Sequence, residues 1–135
     1  MPDQTRKKIK QMTKTILVVD DSTTTNLLCE SIFQEKEYQV IIVDKGKEAF
    51  NRIKKDQPDI VLLDLMLPGT DGFTILKQLK QNDHTKQIPV IVVSARASRE
   101  DREKALEYGA LDYVMKPIGA NNLVEKVESI LDPAE

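Results

Sequence analysis

Five short runs of aliphatic residues alternate with segments in which apolar residues recur at helical spacing. The runs predict strands over the following ranges: about 15–20, 40–43, 59–64, 88–93 and 111–115. Because the runs are almost continuously apolar, they are typical of parallel strands that are covered by helices on both faces of a sheet. The chain is therefore expected to fold as an alternating series of strands and helices.

Each predicted strand is followed by a predicted amphipathic helix. The apolar spacing and end signals place these helices over 22–37, from Asp44 to just before Pro58, over about 73–79, from Ser98 to Gly109, and around 123–131. Asp44 is expected to cap the second helix, and Ser98 with Asp101 resembles a capping box at the start of the fourth. The segment from Leu67 to Gly72 is rich in turn residues and is predicted to be a turn.

These units favour one fold class. Right-handed crossovers and cover on both faces of the sheet favour a flavodoxin-like α/β fold, a doubly wound (βα)5 parallel sheet with strand order 2-1-3-4-5. Strands one and three are then neighbours at the switch point, where ligands bind. The 135 residues fit one domain over 15–131, with a flexible basic N-terminal extension over 1–14 and a C-terminal tail over 132–135.

The composition argues against several classes of function. The 20 basic and 22 acidic side chains are mixed along the chain, so direct binding of nucleic acid is not expected. Cys29 is the only cysteine, which suits a reducing compartment and argues against a soft-metal site. No apolar stretch approaches the ~18 residues that a membrane span requires. A cytoplasmic protein without membrane contact is therefore expected.

Polar side chains follow four of the predicted strands. Asp20 and Asp21 follow the first strand, Asp64 the third, Ser94 the fourth and Lys116 the fifth. Because strands one and three are expected to be neighbours, the three carboxylates should share one pocket. Each residue alone could be a helix cap, a turn residue or a surface side chain, but their joint placement at one edge indicates a functional site.

The chemistry of these groups favours phosphoryl transfer. Clustered carboxylates repel each other unless a cation lies among them, and Mg²⁺ is a hard cation that prefers oxygen ligands. With Mg²⁺ and Lys116 nearby, Asp64 would face positive charge on two sides, which suits a nucleophile toward a phosphoryl group. The cation, the Lys116 ammonium and the Ser94 hydroxyl could each hold one phosphoryl oxygen. The pattern therefore predicts an aspartyl phosphate on Asp64.

Motifs around these residues resemble the receiver domains of two-component response regulators, including the chemotaxis regulators, over about residues 15–131. The matching segments are Leu17-Val18-Val19-Asp20-Asp21, Asp64-Leu65-Met66-Leu67-Pro68-Gly69 followed by Asp71-Gly72, Ser94-Ala95, and Lys116-Pro117. The resemblance implies that Asp64 accepts a phosphoryl group from a phosphohistidine on a sensor histidine kinase or a histidine phosphotransfer protein. It also implies that Asp21, Asp64 and the Met66 carbonyl bind Mg²⁺, while Asp20 binds it through water.

The same resemblance assigns roles near the fifth strand. Lys116 and Ser94 would hold the phosphoryl oxygens, and the peptide bond before Pro117 would be cis. Tyr113 matches an aromatic switch position: Ser94 would move toward the phosphoryl group, and Tyr113 would turn into the vacated space. This movement would alter a partner-binding face formed by the fourth helix, the fifth strand and the fifth helix. Core packing or a half-exposed ring is the other explanation for Tyr113.

Met66 and Arg96 match positions that tune the lifetime of the phosphoryl group, and their large side chains imply slow self-hydrolysis. A receiver catalyses only its own phosphorylation and slow dephosphorylation, so an enzyme with turnover is not expected. It would act as a monomer or a phosphorylation-dependent dimer on an unidentified downstream protein. It would do so either as a stand-alone regulator or as a segment of a larger signalling protein.

Three other functions are compatible with parts of the pattern. A flavodoxin-type module would bind a flavin phosphate at the hydroxyl residues 22–25, but Asp20 and Asp21 would repel that phosphate. A phosphatase of the haloacid dehalogenase type needs a second aspartate two residues after the first, where this chain has Met66. A receiver-like module that docks independently of phosphorylation would not need the acidic set, so it is the less favoured alternative.

Overall fold

The structure is a computed structural model that describes residues 14–96 and 98–132. Nearly all of the predicted basic extension, and the predicted tail from residue 133, lie outside these ranges. The strands of the described part are β1 (Thr15–Val19), β2 (Gln39–Val43), β3 (Ile60–Leu63), β4 (Met66–Leu67), β5 (Thr70–Asp71), β6 (Val90–Ser94) and β7 (Asp112–Met115). Its helices are α1 (Thr23–Glu35), α2 (Gly46–Asp56), α3 (Gly72–Gln81), α4 (Arg99–Glu107) and α5 (Ala120–Leu131).

Five of the strands form one parallel sheet in the order β2-β1-β3-β6-β7. Counted within this sheet alone, the order is the predicted 2-1-3-4-5, so the doubly wound flavodoxin-like fold is confirmed. The register sets Val19 of β1 beside Val43 of β2 and Leu63 of β3. Asp20 and Asp64, which follow Val19 and Leu63, are therefore neighbours at the carboxyl edge of the sheet.

The residues of β1 alternate between two hydrophobic clusters, one on each face of the sheet. Ile16 and Val18 pack in a cluster with residues of α1 and α5, whereas Leu17 and Val19 pack in a cluster with residues of α2, α3 and α4. All four side chains are 2% exposed or less. Full burial of one such side chain contributes about 1.5–3 kcal/mol, so helices must cover both faces. This requirement explains the continuous apolar runs in the sequence.

The start of α2 differs from the prediction, because Asp44 does not cap this helix. Lys45 occupies the cap position and makes no side-chain cap hydrogen bond, and α2 begins at Gly46. A Cβ atom at Gly46 would lie 2.7 Å from Cβ of Thr70. The helix therefore begins where its backbone packs closely against Thr70, the first residue of β5. Asp44 lies one residue too early to serve as the cap.

The segment predicted as a single turn contains a small antiparallel ribbon. β4 pairs with β5 across Pro68 and Gly69, and Gly69 has a φ of 68°. Glycine adopts this left-handed conformation without steric cost. The carboxylate of Asp71 then caps α3, which begins at Gly72. The ribbon thus folds the chain back immediately after Asp64.

The cap predicted at Ser98 for the fourth helix is observed, as the first of the two hydrogen bonds of a capping box. Ser98 Oγ accepts a hydrogen bond from the Asp101 amide at 3.0 Å, and α4 begins at the next residue, Arg99. The helix ends at Glu107, ahead of Gly109, whose φ is 107°. Within residues 14–96 and 98–132, no helix combines the length and the apolar character needed to cross a membrane.

Candidate functional site

Three carboxylates meet at the carboxyl edge of the sheet, where β1 and β3 end. One carboxylate oxygen from each of Asp20, Asp21 and Asp64 lies within 4.8 Å of the others. Asp20 and Asp64 are 2% and 5% exposed, whereas Asp21 faces solvent. The fold therefore brings together the three acidic residues that the sequence placed at this edge.

Local hydrogen bonds orient both buried carboxylates. Asp20 Oδ1 accepts a hydrogen bond from the Ser22 amide at 2.9 Å, just before α1 begins. Asp64 Oδ1 accepts a hydrogen bond from the Met66 amide at 3.0 Å, at the start of β4. Each carboxylate thus uses one oxygen to hold the turn after its strand and presents the other oxygen to the site.

Lys116 supplies positive charge to both buried carboxylates. Its Nζ atom lies 2.8 Å from Asp20 Oδ2 and 3.0 Å from Asp64 Oδ2. The backbone amide of Lys116 donates a hydrogen bond of 2.9 Å to the Ser94 carbonyl, which continues the pairing of β7 with β6. The peptide bond between Lys116 and Pro117 is cis. The end of β7 therefore directs this side chain across the sheet edge toward β1 and β3.

Burial and charge act in opposite directions on the pKa values of the site. Burial raises the pKa of the Asp20 carboxyl by more than the hydrogen bond and charge of Lys116 lower it. Burial alone would lower the pKa of Lys116, but the hydrogen bonds and the negative charges of Asp20 and Asp64 together outweigh that effect and raise it. Lys116 is therefore held in its charged form at neutral pH, whereas ionisation of Asp20 is disfavoured.

The donor set of the acid cluster fits a hard divalent cation. Asp20, Asp21 and Asp64 offer carboxylate oxygens within 4.8 Å of one another, and a single Lys116 ammonium offsets only part of their negative charge. The raised pKa of Asp20 shows that its burial is not fully compensated by Lys116. Mg²⁺ binds through oxygen ligands of this kind, usually through one or two carboxylates together with water.

Ser94 and Tyr113 both bind the backbone of Arg96. Ser94 is fully buried, and its Oγ accepts a hydrogen bond from the Arg96 amide at 3.3 Å. The Tyr113 hydroxyl donates a hydrogen bond to the Arg96 carbonyl. The Tyr113 ring is 8% exposed, and its burial raises the pKa of the hydroxyl. The half-exposed ring that the sequence allowed is thus not observed, and one backbone segment links the two predicted switch residues.

Met66 and Arg96 border an open cavity of about 610 Å³ beside the acid cluster. Asp21 and residues of the β4–β5 ribbon also line this cavity. The Met66 side chain is 53% exposed, in accordance with a position at the rim. The two residues predicted to tune the phosphoryl lifetime therefore share a cavity with one of the three acidic residues.

Two further residues contact this site and were not predicted from the sequence. Asn26 is buried, and its Nδ2 donates a hydrogen bond of 2.9 Å to the backbone carbonyl of Asp20. The Asp101 carboxylate pairs with the guanidinium of Arg96. Helical spacing from Phe33 places Asn26 on the buried face of α1 and could have identified it. Helix capping is sufficient to explain Asp101 in the sequence, so no sequence signal indicates its contact with Arg96.

Comparison with known proteins gives one consistent family. Residues 16–128 match the model of the response regulator receiver domain. The phosphate regulon transcriptional regulatory protein PhoB of Escherichia coli (strain K12) is 34% identical over 120 residues, which cover 89% of this chain and 52% of PhoB. The polar-differentiation response regulator DivK of Brucella ovis is 32% identical over 123 residues, which cover 91% of this chain and 100% of DivK. The chain thus spans about half the length of PhoB.

A solved structure shows the same fold. It is the receiver domain of the sensor histidine kinase PA1611 from Pseudomonas aeruginosa PAO1, which aligns with a TM-score of 0.79 at 26% sequence identity. The alignment covers 87% of this chain and 97% of that one. A magnesium ion is coordinated in the active site cleft of the PA1611 domain.

Proposed function

This chain belongs to the family of response regulator receiver domains, and we propose that Asp64 is the phosphoryl acceptor of a two-component phosphorelay that uses Mg²⁺. The observation that carries the proposal is the position of Lys116 Nζ, 2.8 Å from Asp20 and 3.0 Å from Asp64, beside the exposed Asp21. Such a site combines a buried carboxylate, a neighbouring cation and a cluster of oxygen ligands, which are the groups that phosphoryl transfer requires.

The sheet order supports Asp64 as the acceptor rather than Asp20. β3 lies between β1 and β6, so Asp64 has the acidic residues of β1 on one side and Ser94 of β6 on the other. Asp20 follows β1, which lies between β2 and β3 and therefore has no direct neighbour that carries Ser94. A phosphoryl group on Asp64 would lie between the cation ligands and the hydroxyl of Ser94.

In the proposed reaction, a carboxylate oxygen of Asp64 attacks the phosphorus of a phosphohistidine on a sensor histidine kinase or a histidine phosphotransfer protein. The bond between phosphorus and the new oxygen forms as the phosphorus–nitrogen bond breaks. The electron pair of the broken bond returns to the imidazole, which takes up a proton from solvent. The product on this chain is an aspartyl phosphate.

Lys116 and Ser94 would hold that product. When Asp64 is phosphorylated, its negative charge moves to the phosphoryl oxygens, and Lys116 Nζ lies only 3.0 Å from the carboxylate that carries them. Ser94 would turn its hydroxyl from the Arg96 amide toward a second phosphoryl oxygen. Asp21, Asp64 and the Met66 carbonyl would hold Mg²⁺, with Asp20 binding through water, and the cation would compensate the charge of the transition state.

The contacts of Arg96 would connect the site to a neighbouring surface. Because both Ser94 and Tyr113 bind the Arg96 backbone, a movement of Ser94 toward Asp64 would release one of these contacts and shift the other. The affected surface is the switch face formed by α4, β7 and α5. Exposed apolar side chains of Leu106, Leu111 and Met115 on or beside α4 and β7 support protein docking there.

The proposed setting is a cytoplasmic phosphorelay with an unidentified downstream protein partner and without direct binding of nucleic acid. The chain would work as a monomer or as a phosphorylation-dependent dimer. The chain could act as a stand-alone regulator or as a segment of a larger signalling protein. Both fit the alignments, which span all of DivK but about half of PhoB. Its only catalysis would be its own phosphorylation and slow dephosphorylation. A docking module that ignores phosphorylation is the alternative.

The decisive experiment is the intact mass of the protein after incubation with Mg²⁺ and a small phosphodonor. Wild type should gain one phosphoryl group, and Asp64→Asn should gain none. Asp83→Asn is the matched control, since that carboxylate is 87% exposed on the loop after α3, and it should be phosphorylated like wild type. Equal phosphorylation of wild type and Asp64→Asn would refute the assignment of Asp64. Partner capture that is identical for wild type and Asp64→Asn would favour the docking module.

A further inference from the structure

The guanidinium of Arg96 is fixed by two neighbours. Its Nη2 and Nε donate hydrogen bonds to the two carboxylate oxygens of Asp101, at 2.7 Å and 3.2 Å. Its Cζ also lies 5.5 Å from the ring centroid of Phe73. Two parallel hydrogen bonds give directional restraint in addition to charge attraction, and contact with an aromatic ring restricts the plane of the guanidinium. Arg96 therefore has one defined orientation rather than a free surface position.

Both neighbours are themselves held in place. Asp101 belongs to the first turn of α4, and its carboxylate accepts a hydrogen bond of 2.7 Å from the Ser98 hydroxyl. The hydrogen bond from Ser98, together with Arg96, lowers the pKa of Asp101, so this carboxylate stays charged at neutral pH. Phe73, in the first turn of α3, is 3% exposed. Rigid helix ends on two sides thus determine where the Arg96 side chain lies.

This orientation keeps Arg96 at the cavity beside the acid cluster. Arg96, Met66 and Asp21 line the same open cavity of about 610 Å³, whose mouth faces solvent. Water that attacks a phosphoryl group on Asp64 must approach from solvent, and large side chains at the opening limit that approach. Without Asp101, the long Arg96 side chain would gain rotamer freedom and would spend less time at the opening.

We propose that Asp101 is a positioning residue that holds Arg96 across this opening and thereby lengthens the lifetime of the aspartyl phosphate. The inference rests on the proposed function of Asp64, because it concerns the hydrolysis of that product. In this step the oxygen of water attacks phosphorus and the bond to the Asp64 carboxylate oxygen breaks. Inorganic phosphate leaves with the water oxygen and one of its protons, the other proton goes to solvent, and the Asp64 carboxylate is restored.

The test compares the half-lives of the phosphorylated proteins after the small phosphodonor is removed, with intact mass as the readout. Asp101→Asn should shorten the half-life by about threefold, the scale on which an exposed ion pair biases two arrangements of a side chain. Arg96→Ala should shorten it to a similar extent. The double variant should decay no faster than Arg96→Ala, because Asp101 acts only through Arg96. Asp101→Glu, which keeps the carboxylate, should retain most of the wild-type half-life.

Glu103→Gln is the matched control. It removes the same charge from the same helix, but its carboxylate pairs with Arg99 at 2.9 Å and not with Arg96. Its half-life should equal that of wild type, and thermal unfolding should show that all variants fold. A wild-type half-life for Asp101→Asn, or effects that multiply in the double variant, would overturn the role of Asp101 while leaving Asp64 as the acceptor. Failure of wild type to gain any phosphoryl group would instead overturn the proposed function and this inference with it.

Discussion

Lys116 Nζ lies 2.8 Å from a carboxylate oxygen of Asp20, a side chain that is only 2% exposed. Removing a carboxylate from water is costly, and a close ammonium offsets part of this cost. The same ammonium also reaches Asp64, at 3.0 Å. The stability of the resting protein and the proposed chemistry therefore depend on one side chain, and changes at Lys116 should affect both.

Replacement of Lys116 by methionine should lower the free energy of unfolding by about 3 kcal/mol, because Asp20 and Asp64 would be left buried without their partner. Urea unfolding without divalent cations measures this loss. Lys126→Met is the control: Lys126 pairs with Asp112 at 2.7 Å, but that pair is 31% and 42% exposed and should contribute less than about 1 kcal/mol. Equal losses for the two variants would show that Lys116 does not compensate buried charge.

Mg²⁺ should stabilise the protein through the acid cluster. At a concentration ten times the Kd, a cation that binds only the folded state raises the free energy of unfolding by about 1.4 kcal/mol. Asp21→Asn should remove most of this gain, because Asp21 is a proposed direct ligand and is exposed enough to be replaced without loss of packing. Thermal unfolding with and without Mg²⁺ provides the measurement, with Asp83→Asn as the control. An undiminished Mg²⁺ effect in Asp21→Asn would place the cation elsewhere.

The pKa of Asp20, raised by burial, predicts a pH-dependent effect of its replacement. The folded state binds the Asp20 proton more tightly than the unfolded state, so Asp20 contributes stability at low pH. That contribution is lost as the pH rises from the ordinary value of 3.8 through the raised pKa. Asp20→Asn should therefore become more stable relative to wild type over this window. Unfolding by urea at a series of pH values, without divalent cations, tests whether the relative stability of Asp20→Asn rises with pH.

Asp112 provides a control, because its pKa is shifted in the opposite direction from that of Asp20. Burial alone would raise the pKa of Asp112, but hydrogen bonds from Lys126 and the Tyr113 amide, together with nearby positive charge, outweigh it and lower the pKa. Asp112 therefore contributes stability above its ordinary pKa of 3.8, and this contribution is lost as the pH falls through the lowered value. Asp112→Asn should become less stable relative to wild type as the pH rises. If the stability of both variants relative to wild type changed in the same direction with pH, the roles assigned to burial and pairing would be wrong.

Gly72→Ala should destabilise the loop that follows Asp64. A Cβ atom at Gly72 would lie 2.4 Å from Cα of Leu65 and 2.7 Å from the carbonyl oxygen of Asp64, so the backbone would have to move. The expected loss is about 2 kcal/mol or more, as for other overpacked positions, together with weaker Mg²⁺ binding. Gly119→Ala is the control, because its Cβ would lie 3.8 Å from Asn122 in ordinary contact, with an expected loss below about 1 kcal/mol. Similar stabilities of both variants would show that the close approach at Gly72 is not required.

Most of the fold and the centre of the site could be predicted from the chain alone. Strands covered on both faces must be apolar throughout, so β1, β3 and β6 were visible as short aliphatic runs. Parallel strands joined by helices all end at the same edge of the sheet. The residues that follow these strands, Asp20, Asp64 and Ser94, could therefore be assigned to one site from their position in the sequence.

Helix starts and loops were less predictable. Asp44 has the properties of a cap, but the close approach of Gly46 to Thr70 decides where α2 begins. The ribbon formed by β4 and β5 is too short to show a strand pattern, and its pairing depends on the turn at Gly69. At the start of α2, a contact between distant segments thus outweighed the local capping preference.

The sequence alone therefore determined the strand order, the acid cluster and the lysine opposite it, because burial and chain connectivity leave few other arrangements. Tertiary structure decided the contacts of flexible polar side chains. Asp101 could cap α4, contact Arg96, or do both, and Tyr113 could be buried or half exposed. These choices depend on which groups the folded chain brings within hydrogen-bond distance, and the pattern of residues along one segment does not contain that information.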